Sequence, residues 1–353
     1  MNTNWQELTP RLQEALDHAV ADGTETAMQL AIYHAGELVV NICAGQGIDT
    51  ASLFPLFSTG KGIAATLAHI AVERGYLDYD LRLADLWPEF AVNGKQDIRL
   101  WMVLSHRTGL HILPKTDSPD VLGDWTQMCA RMADATPAWP PGGKCGYQGI
   151  TFAWLLGETL RRATGRTMNQ LLHDEILHPL HRERDFFWGL PQGEGARYVH
   201  VDTRLMPQGQ SWCSDFIENP ALRNAPACIP SANAVGTAEF LARHYAALIS
   251  EVDGRRLLPP NVLQNALRLC RDSNDPLAPG SWAKFALGYA LCGPDDNMGC
   301  RFGHGGALGA EGFADLVDGV AIGFTKNCDT PSHPNHAIRN TLSGILGIPP
   351  RVW

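Results

Sequence analysis

Residues 29–45 read QLAIYHAGELVVNICAG, two runs of β-branched and aliphatic residues separated by Ala35-Gly36. Such runs around a short glycine-containing break predict a β-hairpin. A counterpart stands near the other end of the chain, where GFADLV (312–317) and VAIGFTKN (320–327) flank Asp318-Gly319. That dipeptide suits a type I′ turn. Outside the first hairpin, Leu8, Leu12, Leu16 and Ala19 recur at helical spacing until the Asp22-Gly23 breaker. Outside the second, HAIRNTLSGILG (336–347) aligns Ile338, Leu342 and Ile345 on one helical face. Both chain ends thus supply strands and a helix.

Between them, residues 75–280 carry helical patterns and Pro/Gly loops, for example TFAWLLGETLRRATG (151–165), TMNQLLHDEIL (167–177) and TAEFLARHYAALI (237–249). Few strand signals stand out there. The predicted fold class is α+β, one antiparallel sheet built from both ends of the chain and flanked by the terminal helices. Residues 1–74 and 281–353 form that discontinuous domain, and 75–280 form a mainly helical insertion. The active site is expected in the cleft between the two parts. No internal repeat of fixed period is evident.

Composition agrees with a folded enzyme: of 353 residues, 45% are hydrophobic and 18% charged, enough to bury a sizeable core. The formal net charge is −9 and no dense run of lysine or arginine occurs, so nucleic acid is not an expected partner. The N-terminal stretch has Glu7, Glu14 and Asp17 among its apolar positions and no run suited to a signal peptide or membrane span. A cytoplasmic protein that does not associate with membranes is the expectation. Nine cysteines are scattered singly, an odd number with no CxxC pair, which argues against a disulfide framework. Histidines cluster at His173, His178 and His181 and again at His333 and His336, without HExxH spacing. Neither a metal nor a cofactor is expected.

The strongest chemical signal is Ser58-Thr59-Gly60-Lys61, followed by a helical stripe of Ile63, Leu67 and Ile70. Three residues apart at a helix start, the Ser58 hydroxyl and the Lys61 amine share one face, and the helix N-terminus adds positive potential. Burial that lowers the lysine pKa would let its amine take the serine proton. A helix N-cap with a solvated lysine is the bland alternative. With 12 serines and 6 lysines, about 0.2 SxxK matches arise by chance, and the chain has two. The second, Ser281 to Lys284, lies in a loop entering a strand and is read as the chance match.

Two more segments add to Ser58 and Lys61. Tyr147 follows the turn-rich PPGGKCG (140–146), where a phenol can relay a proton, and RFGHGGALGAEGFAD (301–315) sets His304 and its glycines before a strand, with backbone N–H groups at a sheet edge. Serine-lysine, tyrosine and histidine motifs in this order resemble the penicillin-recognising serine hydrolases. Within them the chain is similar to the class C β-lactamase-like branch of carboxylesterases, D-amino-acid peptidases and amidases, and acyltransferases. LADLWPEF (83–90), VLSHRTGL (103–110), the PPGG before Tyr147 and the GFAD after His304 extend the likeness over nearly the whole chain.

The resemblance implies Ser58 as nucleophile, Lys61 as its base and Tyr147 as the proton shuttle to the leaving group. It implies an oxyanion hole at the backbone N–H groups of Ser58 and Ala307, and substrate contacts at Gln148, Gly149, Gly305 and Gly306. His304 stands in the active site where lactamases and transpeptidases carry a carboxylate-binding lysine, and Gly149 where many relatives have Asn. Both departures favour esters over peptidoglycan or β-lactams, although Gln148 could supply the missing amide. Trp125, Trp139, Trp154, Trp188 and Trp212 are candidates for an apolar acyl pocket. His106 and Arg107 are read as structural, with Gly109 turning the helix end.

The expected function is a serine hydrolase forming an acyl-enzyme at Ser58, acting on an ester of a small molecule. An acyltransferase or amide-handling enzyme would use the same intermediate with a second substrate as acceptor. A non-catalytic binding homologue is the alternative of a different class. The sequence carries no signal for oligomeric state.

Overall fold

The computed structural model describes residues 4–268, 284–292, 300–331 and 336–348. Its main sheet has seven antiparallel strands in the order β2-β1-β10-β9-β8-β7-β6. The strands are β1 (Ala27–His34), β2 (Glu37–Gly45), β6 (Lys284–Phe285), β7 (Ala290–Cys292), β8 (Arg301–Gly305), β9 (Glu311–Asp315) and β10 (Val320–Lys326). Strands from both chain ends therefore meet at the β1–β10 pairing, with Ile32 opposite Ile322.

β1 shows why its sequence reads as nearly unbroken apolar. Met28, Leu30 and Ile32 pack on one face with Leu12, Leu16, Ile338 and Leu342, and Ala27, Ala31 and Tyr33 pack on the other, in the main core. Alternation with period two persists, but both faces are covered by helices. The first face carries α1 (Trp5–Ala21) and α12 (His336–Leu346). The second carries α10 (Ala238–Ile249), which packs across β1, β9 and β10 although it lies within the 75–280 stretch.

The first hairpin closes as expected, with Ala35 at φ +50° and Gly36 at φ +88°, the positive values a type I′ turn needs. The second corrects the sequence reading. Asp315 pairs with Val320, so residues 316–319 form a four-residue loop in which only Gly319 has positive φ. The cause is Asp315, whose Oδ1 accepts N–H bonds from Val317 (2.8 Å) and Asp318 (3.1 Å) and stabilises the longer turn.

The remaining helices are α2 (Gly60–Glu73), α3 (Leu83–Leu86), α4 (Leu100–Leu104), α5 (Trp125–Asp134), α6 (Phe152–Thr164), α7 (Met168–Leu172), α8 (Trp212–Ile217), α9 (Pro220–Arg223) and α11 (Pro260–Ala266). A second sheet of three short strands, β3 (Phe54–Pro55), β5 (Ala234–Gly236) and β4 (Phe186–Trp188), joins this region to the entry of α2. Strands of two or three residues are too short to leave an alternating pattern, so no periodicity marks them. Among the described residues, no helix is long and apolar enough to cross a membrane.

Candidate active site

β3 pairs with β5, and the Leu56 N–H donates to Ala234 O at 2.8 Å, which brings residues 56–58 against residues 229–234. Phe57 then takes φ +48°, a left-handed conformation that costs a bulky residue about 1–3 kcal/mol. Its buried ring is fixed by Trp212 at 5.8 Å and Phe216 at 6.3 Å. This turn leads into the 3-10 segment Phe57–Thr59 and then α2, leaving Ser58 half-buried at the helix entry. A Cβ at Gly60 would lie 2.5 Å from Pro230 O, so only glycine lets α2 meet the 229–233 loop this closely.

Lys61 is completely buried. Its Nζ lies 2.9 Å from Ser58 Oγ, 2.7 Å from Gly149 O and 2.8 Å from Ser231 O. No carboxylate among the described residues pairs with it, so burial pushes its pKa well below the usual lysine value. With the amine neutral, two N–H groups go to the carbonyls and the lone pair is available to Ser58 Oγ, whose hydroxyl also lies 3.3 Å from Ser231 O. The solvated lysine of the bland reading is thereby excluded.

Tyr147 stacks on Phe285 (5.8 Å, 9° between planes) and tilts against His106 at 4.9 Å. Its hydroxyl hydrogen-bonds Ser58, yet burial still raises its pKa above the ordinary phenol value, so it is a neutral O–H at working pH. Its ring also lies 5.0 Å from Lys61 Nζ, where the π face favours a cation. His106 does more than end a helix: at φ +59° it turns the chain after α4, and its Nδ1 accepts the Gln148 N–H at 3.2 Å. Gly109, at φ +77°, serves a later turn.

Gln148 departs from its expected substrate contact. Its side chain is fully buried, with Oε1 accepting from Thr108 Oγ1 at 2.6 Å and Nε2 donating to Val103 O at 3.3 Å. Both ends of the amide are committed, so it braces the tyrosine loop and cannot replace a missing Asn. Gly149 contributes its carbonyl to Lys61, and a Cβ there would meet nothing nearer than Tyr147 Cε1 at 3.9 Å. A Cβ at 149 would therefore be accommodated.

His304 lies near the end of β8, a strand that runs between β7 and β9. The β7 pairing ends at Gly303, so among the described residues only β9 pairs with His304 and Gly305, leaving their other side open. His304 Nδ1 is 2.7 Å from Gly305 O, which requires the proton on Nδ1 and leaves Nε2 a bare acceptor. Burial lowers its pKa to about 3. Gly306 donates its N–H to Ala310 O at 2.7 Å, and a Cβ there would come within 2.2 Å of Leu56 O. This close approach sets the exposed Ala307 beside the Ser58 turn.

Two contributors escaped the sequence reading, the Ser231 carbonyl and the strained Phe57. A backbone carbonyl leaves no residue signature, and an aromatic at positive φ is the reverse of the glycine that usually marks such a turn. Of the five tryptophans, Trp154 and Trp188 are core residues, Trp125 donates to Glu158 at 2.9 Å, and Trp139 stacks on His111 at 4.6 Å. Only Trp212, half exposed, adjoins the residue before Ser58. Ser281 lies outside the described residues. Among those described, no group of three His, Cys, Asp or Glu could hold a metal ion.

The Beta-lactamase family profile matches residues 12–344, and the chain belongs to that family. It is 31% identical over 338 residues to the Esterase/beta-lactamase LipL of Mycobacterium tuberculosis (strain ATCC 25618 / H37Rv), covering 84% of this chain and 76% of LipL. A solved family VIII carboxylesterase is 26% identical, with a TM-score of 0.85 and 96% of each chain covered. A penicillin-binding protein homolog from Caulobacter crescentus is 31% identical, with a TM-score of 0.82 over 95% of this chain and 96% of that one. The α+β class, the family resemblance and the reading as an enzyme of the serine-hydrolase kind all hold.

Proposed function

We propose that this protein is a carboxylic ester hydrolase that works through an acyl-enzyme on Ser58. The observation that carries the reading is the fully buried Lys61, with Nζ 2.9 Å from Ser58 Oγ and no carboxylate partner among the described residues. In the first step, Ser58 Oγ bonds to the acyl carbon while its proton passes to Lys61 Nζ. The two carbonyls that held the amine also accept from the ammonium. The backbone N–H groups of Ser58 and Ala307 stabilise the developing oxyanion. The Tyr147 O–H gives a proton to the departing alkoxide and regains one from the Lys61 side. Water, activated along the same route in reverse, then releases the acid.

Substrate preference follows from what the site lacks. At position 149 no side-chain amide meets a substrate amide, and Gln148 is committed elsewhere. His304 is neutral at working pH and attracts a substrate carboxylate less than a lysine would. Small-molecule esters are therefore preferred to β-lactams and D-Ala-D-Ala peptides. The test compares kcat/KM for short-chain p-nitrophenyl esters, nitrocefin and a D-Ala-D-Ala peptide. Ester turnover well above the other two, lost in Ser58→Ala, is expected; nitrocefin hydrolysis matching ester cleavage overturns the preference.

A further inference from the structure

Two loops far apart in sequence converge on the Lys61 nitrogen, one through Gly149 O at 2.7 Å and the other through Ser231 O at 2.8 Å. A single side-chain bond ties them together. Ser231 Oγ donates to Ile150 O at 2.7 Å, the carbonyl next along the chain from Gly149. Ser231 itself is fully buried. Its own loop is rigid, because Asn233 Oδ1 accepts the Ile229 N–H at 2.8 Å while Asn233 Nδ2 donates to Leu222 O at 2.9 Å and Ala227 O at 3.0 Å. The contact at Gly60 presses that loop against the start of α2.

A neutral amine has two N–H groups and one lone pair in a tetrahedral arrangement. With both N–H groups held by carbonyls, the lone pair is left for the third direction, which Ser58 Oγ occupies at 2.9 Å; the Ser231 carbonyl, 3.3 Å from Ser58 Oγ, thus faces both reacting groups. If either carbonyl drifts, an N–H swings toward Ser58 and the lone pair turns away. The geometry points to Ser231 as the positioning residue of the reaction: its carbonyl fixes one Lys61 N–H, and its hydroxyl holds the Gly149 segment that fixes the other. Among the described residues, the other titratable groups facing Lys61 are Tyr147, His106 and His304. Ser231 acts through Lys61 and transfers no proton itself.

This inference rests on the reading of Ser58 as nucleophile and Lys61 as base, so Ser58→Ala is measured alongside. In the full-length protein, kcat, KM and the pH profile for p-nitrophenyl acetate are compared between wild type, Ser231→Ala and Ser231→Thr, with thermal melting as the check on folding. Ser231→Ala should lose about 10- to 100-fold in kcat with KM nearly unchanged. Its acid limb should move to higher pH, because a loosened amine is better solvated and holds its proton longer. Ser231→Thr, which keeps the hydroxyl, should recover most of the rate. If Ser231→Ala does not fold, Ser231→Cys, similar in size and a weak donor, takes its place with the same expected loss. Wild-type kcat and acid limb in the folded Ala or Cys variant would overturn the inference. So would a folded Ser231→Thr as slow as Ser231→Ala. An active Ser58→Ala would instead overturn the nucleophile reading, whereas an inactive Ser58→Ala beside a normal Ser231→Ala refutes only the role of Ser231.

Discussion

Replacing Tyr147 by Phe removes one oxygen and keeps the ring that stacks on Phe285 and packs against His106. Stability should change little, because the lost hydroxyl bond to Ser58 has a net worth of about 0.5–1.5 kcal/mol. The effect on rate depends on the leaving group. A positioned proton donor contributes about 10²–10⁴-fold, or roughly 3–5 kcal/mol of barrier, when the departing oxygen needs a proton. An alkoxide needs one and a nitrophenolate does not. Tyr147→Phe should therefore lose about two to four powers of ten in kcat/KM on an ethyl ester and far less on the p-nitrophenyl ester of the same acid. The assay measures both esters with wild type and variant, by pH-stat and by absorbance. Equal losses on the two esters would refute the reasoning, since they would place Tyr147 on the attack of Ser58 rather than on departure.

Gly149→Asn should fold normally, because a Cβ there meets no more than an ordinary contact with Tyr147, and should raise the ratio of amide or nitrocefin hydrolysis to ester hydrolysis; an unchanged ratio in a folded variant counts against the missing amide as a cause of preference. His304→Lys should improve kcat/KM for carboxylate-bearing substrates by about 1–3 kcal/mol and slow the cleavage of neutral esters, as read by paired competition assays. Acid should destabilise the fold, because buried His69 titrates near 4 and His244 and His304 near 3, while the unfolded residues titrate near 6.5. Between those values the unfolded chain binds more protons, so stability falls as pH drops below 6.5, by about 2 kcal/mol for each histidine at pH 5. Urea unfolding at pH 7 and pH 5 checks this, and equal midpoints would contradict it.

The parts legible in the sequence are those in which a side-chain pattern determines geometry. The 29–45 hairpin could be read because its dipeptide turn and its runs of strand-forming residues agree. Ser58 and Lys61 could be read because one helical turn brings three-residue spacing onto one face. The 318–319 turn was misassigned because the deciding group, the Asp315 carboxylate, lies outside the dipeptide that carries the turn signal. Gln148 was misassigned because nothing in its neighbours reveals that Thr108 and Val103 wait for its amide. The acceptors on Lys61 are main-chain oxygens, which every residue has, so only the fold could disclose Gly149 and Ser231 as its partners.

A covalent acyl-Ser58 intermediate is the step on which the proposed mechanism turns. Turnover of a p-nitrophenyl ester is quenched with acid within the first catalytic cycles, and the protein is digested and mapped by mass spectrometry. The acyl mass should appear on the peptide containing Ser58 and on no other, and it should vanish together with turnover in Ser58→Ala. An acyl group on another residue, or turnover that persists in Ser58→Ala, would contradict the account.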